Sequence, residues 1–229
     1  MVSLFDNKYY KHGNPKKLVV FVHGYNGSPE AIDYAVQGLV QKLCDAVVVV
    51  PRAPEPCEKN PENLQWLSFY QEDPLVRFRQ ESTPTEEIFD IFNRLGNSFL
   101  KVSRQMNLFI DEMQKQFGVS DDQTYLIGFS QGAMITIQTA LTRKGKLGGA
   151  IAIAGIVPSY QTLAAQIVSK PSFLLLHGQD DATVQYKTFA KTTDWFEVNH
   201  IPFRTAVFEG LAHRMDEAEM ARAAEFINS

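Results

Sequence analysis

Three side chains in this sequence could together turn a hydroxyl into a nucleophile toward an acyl carbonyl: Ser130, His213 and one of the adjacent carboxylates Asp180 and Asp181. A serine hydroxyl is a weak nucleophile at neutral pH, so it needs a base within hydrogen-bond reach and a third group to orient that base. Ser130 lies in Gly128-Phe129-Ser130-Gln131-Gly132, between an apolar run from Thr124 to Phe129 and a helix-like run from Gln131 to Arg143. A strand, a sharp turn and a helix would hold its hydroxyl at the tip of the turn. The glycines two places before and after the serine lack Cβ atoms, which lets strand and helix approach closely. Alone, the pattern arises by chance in about one chain in ten of this length, so its weight comes from what accompanies it.

Of the five histidines, His213 is the best placed, in Glu209-Gly210-Leu211-Ala212-His213 after the last predicted strand and before the last helix. The carboxylates sit one strand earlier, in His177-Gly178-Gln179-Asp180-Asp181-Ala182-Thr183-Val184. Serine, acid and base thus fall in that chain order, each in a loop that follows a strand. An oxyanion hole requires two backbone N–H groups aimed at the developing charge. Gln131, directly after the serine, supplies one, and Tyr25 in the early loop His23-Gly24-Tyr25 supplies the other. His23 and His177 do not have zinc-cluster spacing, and are expected to be buried imidazoles bonded to their own loops, so no metal site is expected.

The elements that must position these groups follow from the apolar pattern. Leu18 to Val22, Ala46 to Val50, Thr124 to Phe129, Ala150 to Ala154, Phe173 to His177 and Arg204 to Phe208 are short apolar runs expected as strands. Their near-continuous apolar character fits a sheet buried on both faces. Helices are expected from Ser28 or Pro29 to Leu43, Glu86 to Leu95, Asn97 to Phe117, Gln131 to Arg143, Thr183 to Val198 and Met215 to Ile227, with a short one near Tyr160 to Val168. Phe99, Val102, Met106, Phe109, Ile110 and Met113 mark one helix face, and Gly118 its end. Prolines at 51, 54, 56 and 61 forbid regular structure up to about Asn63. From there to residue 97 an irregular excursion begins with Trp66, Phe69 and Tyr70, which either line an acyl pocket or belong to the core. Alternating strands and helices predict one α/β domain over residues 1–229, a mostly parallel central sheet with helices on both faces.

Composition narrows the function classes. At 229 residues, 45% hydrophobic and 21% charged, the chain can bury a substantial core. A net charge of -4 leaves no electrostatic footprint for nucleic acid. No apolar run reaches the ~20 residues needed to span a bilayer, so no stable membrane insertion is expected. Met1 to Gly13 carries Asp6, Lys8 and Lys11 rather than an apolar leader, and two cysteines fit a reducing compartment, so a cytoplasmic location is expected. Cys44 is expected to be a packed thiol and Cys57 a loop thiol.

Phe21-Val22-His23-Gly24-Tyr25, Gln65-Trp66, Gly128-Phe129-Ser130-Gln131-Gly132, His177-Gly178-Gln179-Asp180-Asp181 through Val184, and Glu209 through His213 together resemble the acyl-protein thioesterase and bacterial carboxylesterase/lysophospholipase family of α/β-hydrolases. The resemblance runs from about residue 18 to 226. It implies the α/β-hydrolase fold and hydrolysis of carboxylic esters or thioesters of small to medium acyl groups, without metal or organic cofactor. It also implies that the acid is the aspartate three residues before the valine, Asp181. The implied partners are small acyl esters or thioesters, lysophospholipids or acylated proteins, acted on by a monomer or homodimer. The chain departs from the pattern at Ala133, where relatives often carry Gly, and over Leu67 to Tyr70. Residues 72–97 find no counterpart. The competing reading is a binding module for acyl lipids or proteins that has kept the fold without turnover.

Overall fold

Valine, isoleucine and leucine dominate the central strands because branched side chains pack well on a pleated surface covered on both sides. In the computed structural model, which describes residues 3–11 and 14–229, seven strands form one sheet in the order β1-β3-β2-β6-β7-β8-β9. They are β1 (Asn7–Lys11), β2 (Lys17–Val22), β3 (Ala46–Pro51), β6 (Thr124–Phe129), β7 (Gly149–Ile153), β8 (Phe173–Gly178) and β9 (Phe203–Phe208). A two-residue ladder, β4 (Glu55–Pro56) with β5 (Leu64–Gln65), stands apart. All pairings in the large sheet are parallel except β1 with β3. This is the mostly parallel α/β-hydrolase sheet expected from the sequence.

Alternation sends side chains to two cores. Leu18, Val20, Val22, Leu126 and Leu175 face one side, with helices α2 (Thr85–Arg94), α3 (Gly96–Phe117), α4 (Gln131–Thr142) and α5 (Phe189–Val198). Val19, Phe21, Ile127, Ile153 and Leu176 face the other, under α1 (Asp33–Val40) and α6 (Glu217–Asn228). The chain runs from β2 outward to β3 and then returns to the opposite side of β2 with β6. That reversal opens a crevice at the carboxyl ends of β2 and β6, where ligands bind in open parallel sheets.

Several boundaries differ from expectation, each for a local reason. Helix α1 starts at Asp33 rather than at Ser28 or Pro29, because residues 28–33 close turns instead: Ala31 N–H donates to Ser28 Oγ (3.2 Å) and Asp33 N–H to the Glu30 carbonyl (3.3 Å). The helix expected from Thr183 starts at Phe189, since Gln185 has an extended ψ of 127° and only a 3-10 turn, Tyr186–Thr188, precedes the helix. The helix expected near Tyr160 to Val168 shrinks to one 3-10 turn, Leu163–Gln166. Strand β1 escapes sequence reading, because its Lys and Tyr side chains show no apolar alternation and backbone pairing with β3 holds it. The cysteines reverse their expected roles: Cys44 is exposed in the turn before β3 and Cys57 is buried, its N–H bonded to the Asn63 carbonyl at 2.8 Å. Among the described residues no helix is long and apolar enough to cross a membrane.

Candidate active site

The turn at Ser130 owes its shape to what flanks it. Ser130 adopts φ 56° and ψ -118°, a backbone conformation that costs a residue with a Cβ on the order of 1–3 kcal/mol. Both flanking glycines are sterically required. A Cβ on Gly128 would lie 2.2 Å from the Gly132 carbonyl oxygen, and one on Gly132 would lie 2.1 Å from that of Val22. The Ser130 N–H extends the sheet by bonding to the Ile153 carbonyl (2.9 Å), while its own carbonyl accepts from Ala133 N–H (2.9 Å) to start α4. The turn is thereby tied to β7 and to its helix at once. Ala133 fits because its methyl packs over Gly155, where a second Cβ would come within 2.5 Å of it.

Loops after three strands bring the polar side chains together. His213 Nε2 lies 3.0 Å from Ser130 Oγ, and Nδ1 lies 2.7 Å from Asp181 Oδ2. The second oxygen of Asp181 accepts the Thr183 and Val184 amides at 2.8 and 2.9 Å, so a fully buried carboxylate has every partner it needs. Asp180 is exposed and outside this chain of contacts. The imidazole is held from the side by Phe129, whose ring centroid is 4.7 Å away at 33°. This geometry can carry a proton from a hydroxyl to an imidazole and stabilise the resulting cation.

The loop after β2 faces the same crevice. His23 is wholly buried: its Nδ1–H donates to the Gly24 carbonyl (2.9 Å) and its Nε2 accepts from Ala53 N–H (3.2 Å). Burial lowers its pKa to about 4, which matches the single protonation state this pairing permits. Neither the Tyr25 nor the Gln131 backbone N–H has an acceptor among the described residues, which leaves both donors free at the crevice. His177 lies beneath Asp181, 3.6 Å from Oδ2, and donates from Nε2 to the Val184 carbonyl at 2.8 Å. Burial pushes its pKa down as well, so a neutral ring backs the carboxylate. Among the described residues no cluster of His, Cys, Asp and Glu could hold a metal ion.

The aromatic segment at the start of the excursion is used mainly as structure. Trp66 and Phe69 are 1% and 3% exposed, whereas Tyr70 is 38% exposed. Trp66 Nε1–H donates to the His23 carbonyl (2.8 Å), and its backbone N–H donates to the Gln131 side-chain oxygen (3.0 Å). The Gln131 amide group completes the strut by donating to the Leu67 carbonyl at 2.9 Å. Sequence reasoning assigned Gln131 by its backbone alone and missed this side chain. Glu58 was missed too: its carboxylate accepts from the Tyr25 hydroxyl (3.2 Å) and the Phe69 amide (3.2 Å), binding excursion to loop. Neither contact leaves a signal in the sequence, since the burial of the Gln131 side chain depends on Trp66, 65 residues away.

The chain is similar to known proteins over most of its length. A family model described as Phospholipase/Carboxylesterase matches residues 9–229. Acyl-protein thioesterase 1 of Debaryomyces hansenii is 27% identical over 228 residues, covering 93% of this chain and 90% of that protein. Esterase YpfH of Escherichia coli is 25% identical, covering 93% of this chain and 82% of its own length. The crystal structure of esterase PE8 superposes with a TM-score of 0.81 at 25% identity, over 99% of both chains. A sheet of this topology, with a serine turn at its crevice and a family match over nearly its whole length, makes this chain a member of the phospholipase/carboxylesterase family of α/β-hydrolases, a hydrolase of esters.

Proposed function

We propose that the chain hydrolyses carboxylic esters and thioesters of small to medium acyl groups through an acyl-enzyme on Ser130. The observation that carries this reading is the continuous contact path from Asp181 through His213 to Ser130 Oγ, at 2.7 and 3.0 Å. In the first half-reaction Ser130 Oγ attacks the acyl carbonyl while His213 Nε2 takes its proton. Asp181 holds the ring with Nδ1–H toward its carboxylate and stabilises the imidazolium. The Tyr25 and Gln131 N–H groups receive the oxyanion, and each such donor contributes about 3 kcal/mol to the transition state. His213 then gives its proton to the departing alcohol or thiol. In the second half-reaction it deprotonates water, which releases the acid and restores the serine.

No step calls for a cofactor. Of the three aromatics expected near the acyl group, Tyr70 has the exposed face to meet it, while Trp66 and Phe69 act by fixing the loop that carries Tyr25. A reducing, cytoplasmic setting is consistent with Cys44 and Cys57, both unpaired. The test is hydrolysis of 4-nitrophenyl acetate and butyrate by wild type and by Ser130→Ala. Loss of turnover by several orders of magnitude is expected. Undiminished turnover would overturn the assignment, and acyl-ligand binding without any turnover in wild type would instead favour a binding module.

A further inference from the structure

The excursion is not a free flap, because the loop bearing Asp181 clamps it. Gln185 Nε2 donates to the carbonyls of Phe78 (3.0 Å) and Gln80 (2.8 Å), and Lys187 Nζ to those of Glu81 (2.8 Å) and Thr83 (2.6 Å). Between the first two bonds sits Arg79. Its backbone is thus fixed on both sides to the acid loop of the candidate active site.

The Arg79 side chain rests on two aromatic rings and is left unneutralised. Its guanidinium lies over the Tyr25 ring, 5.4 Å from the centroid, and over that of Phe78 at 5.3 Å. Nε is buried and has no acceptor, and among the described residues no carboxylate oxygen lies within 4.0 Å of the group. Half-buried Arg52 and buried Arg143 have carboxylate partners, as do the exposed Arg77, Arg94 and Arg222, and those without one, Arg104, Arg204 and Arg214, are exposed. Arg79 alone is both partly buried and unpaired. It lines a cavity of about 470 Å³ together with Gln179, Asp180, Asp181, Gln185 and Tyr186. The charge of Asp181 is already taken up by His213 and two amides, while Glu81 and Asp180 are exposed to solvent at the rim.

A planar cation without a carboxylate partner, resting on aromatic rings and lining the same cavity as Asp181, has the design of an anion-binding fork. We infer that Arg79 recognises an anionic group of the substrate, a carboxylate or a phosphate carried by the acyl part or the leaving group, and so sets specificity for charged esters. This rests on the Ser130 reading above, because the cavity is lined by Asp181, the acid of that reading. Arg79 is a specificity residue here, and takes no part in bond making.

The experiment compares kcat/KM ratios in matched pairs. The acyl arm sets 4-nitrophenyl hydrogen adipate against 4-nitrophenyl hexanoate, and the leaving-group arm sets 4-acetoxybenzoate against its methyl ester. Wild type is expected to favour the anionic member of one pair, and Arg79→Met to lower that ratio by about tenfold to a hundredfold. Arg79→Lys should fall between them, since it keeps the charge and loses the fork. A further measurement needs no variant: adipate or inorganic phosphate should inhibit wild-type hydrolysis of 4-nitrophenyl acetate competitively, less so as salt approaches about 0.5 M. The more effective of the two inhibitors identifies the anion. Equal handling of charged and neutral esters in both arms, an unchanged ratio in Arg79→Met, or no competition by either anion would overturn the inference. If turnover still vanishes in Ser130→Ala, that failure leaves the hydrolase reading standing.

Discussion

Gln131→Ala offers the sharpest probe of how the proposed oxyanion loop is supported. The side chain is fully buried and makes two bonds to backbone, accepting from Trp66 N–H at 3.0 Å and donating to the Leu67 carbonyl at 2.9 Å. Truncation leaves both backbone groups buried without partners, at about 1–3 kcal/mol each, so about 2–6 kcal/mol of stability should be lost. Alanine is a good helix former at this position, so helix propensity does not add to the cost. The backbone N–H of residue 131 survives, yet Trp66 also donates to the His23 carbonyl, and loosening Trp66 releases the segment that carries Tyr25. We therefore expect kcat/KM for 4-nitrophenyl butyrate to fall by about tenfold or more, equivalent to ~1.4 kcal/mol of transition-state stabilisation. Urea unfolding followed by tryptophan fluorescence gives the first quantity and steady-state kinetics at saturating and limiting substrate the second. A loss of less than about 1 kcal/mol with unaltered kcat would refute the strut, since even one orphaned group should exceed it.

Other outcomes follow from the same contacts. Asp181→Asn should lower kcat on the order of 10⁴-fold by removing the acceptor for His213 Nδ1–H, whereas exposed Asp180→Asn should cost about tenfold at most. Gly132→Ala forces a Cβ against the Val22 carbonyl, and thermal unfolding should drop by about 2–12 °C, while Gly38→Ala, with nothing within 4 Å, should raise stability by about 0.5–1 kcal/mol. Burial raises the Glu219 carboxyl to about 8, so between its ordinary value of 4.5 and 8 the folded chain holds a proton that the unfolded chain has released. Stability should therefore decline as pH rises through that window, by up to ~1.4 kcal/mol per unit, and denaturation of Glu219→Gln across it should show the decline reduced. A Glu219→Gln profile as steep as wild type would contradict the assignment.

The parts of the fold that the sequence makes legible are those whose signal is local. Runs such as Val47 to Val50 and the spaced apolar face of α3 announce buried strands and an amphipathic helix because burial on two faces or one leaves a periodic trace. Ser130, His213 and the Asp180–Asp181 pair stand out for the same reason, each in a loop directly after an apolar run. What stayed hidden depends on contacts between distant segments. The Gln131 strut reaches across 65 residues of chain to Trp66, and the Glu58 hub joins Tyr25 to Phe69, and neither leaves any pattern along the chain. Strand β1 was missed because the backbone of β3 dictates its conformation, and the start of α5 was misplaced because Gln185, bonded through its side chain to the Phe78 and Gln80 carbonyls, holds an extended backbone ahead of the helix. Local propensity yields in those places to a hydrogen bond made elsewhere.

Activation of Ser130 as a nucleophile by His213 is read without any choice of substrate by covalent labelling. Wild-type protein is treated with a fluorophosphonate, digested, and the adduct mapped by mass spectrometry, alongside Ser130→Ala and His213→Gln. One adduct per chain is expected on Ser130, none in Ser130→Ala, and labelling of His213→Gln slower by orders of magnitude. An adduct on another residue, or His213→Gln labelled at the wild-type rate, would contradict it.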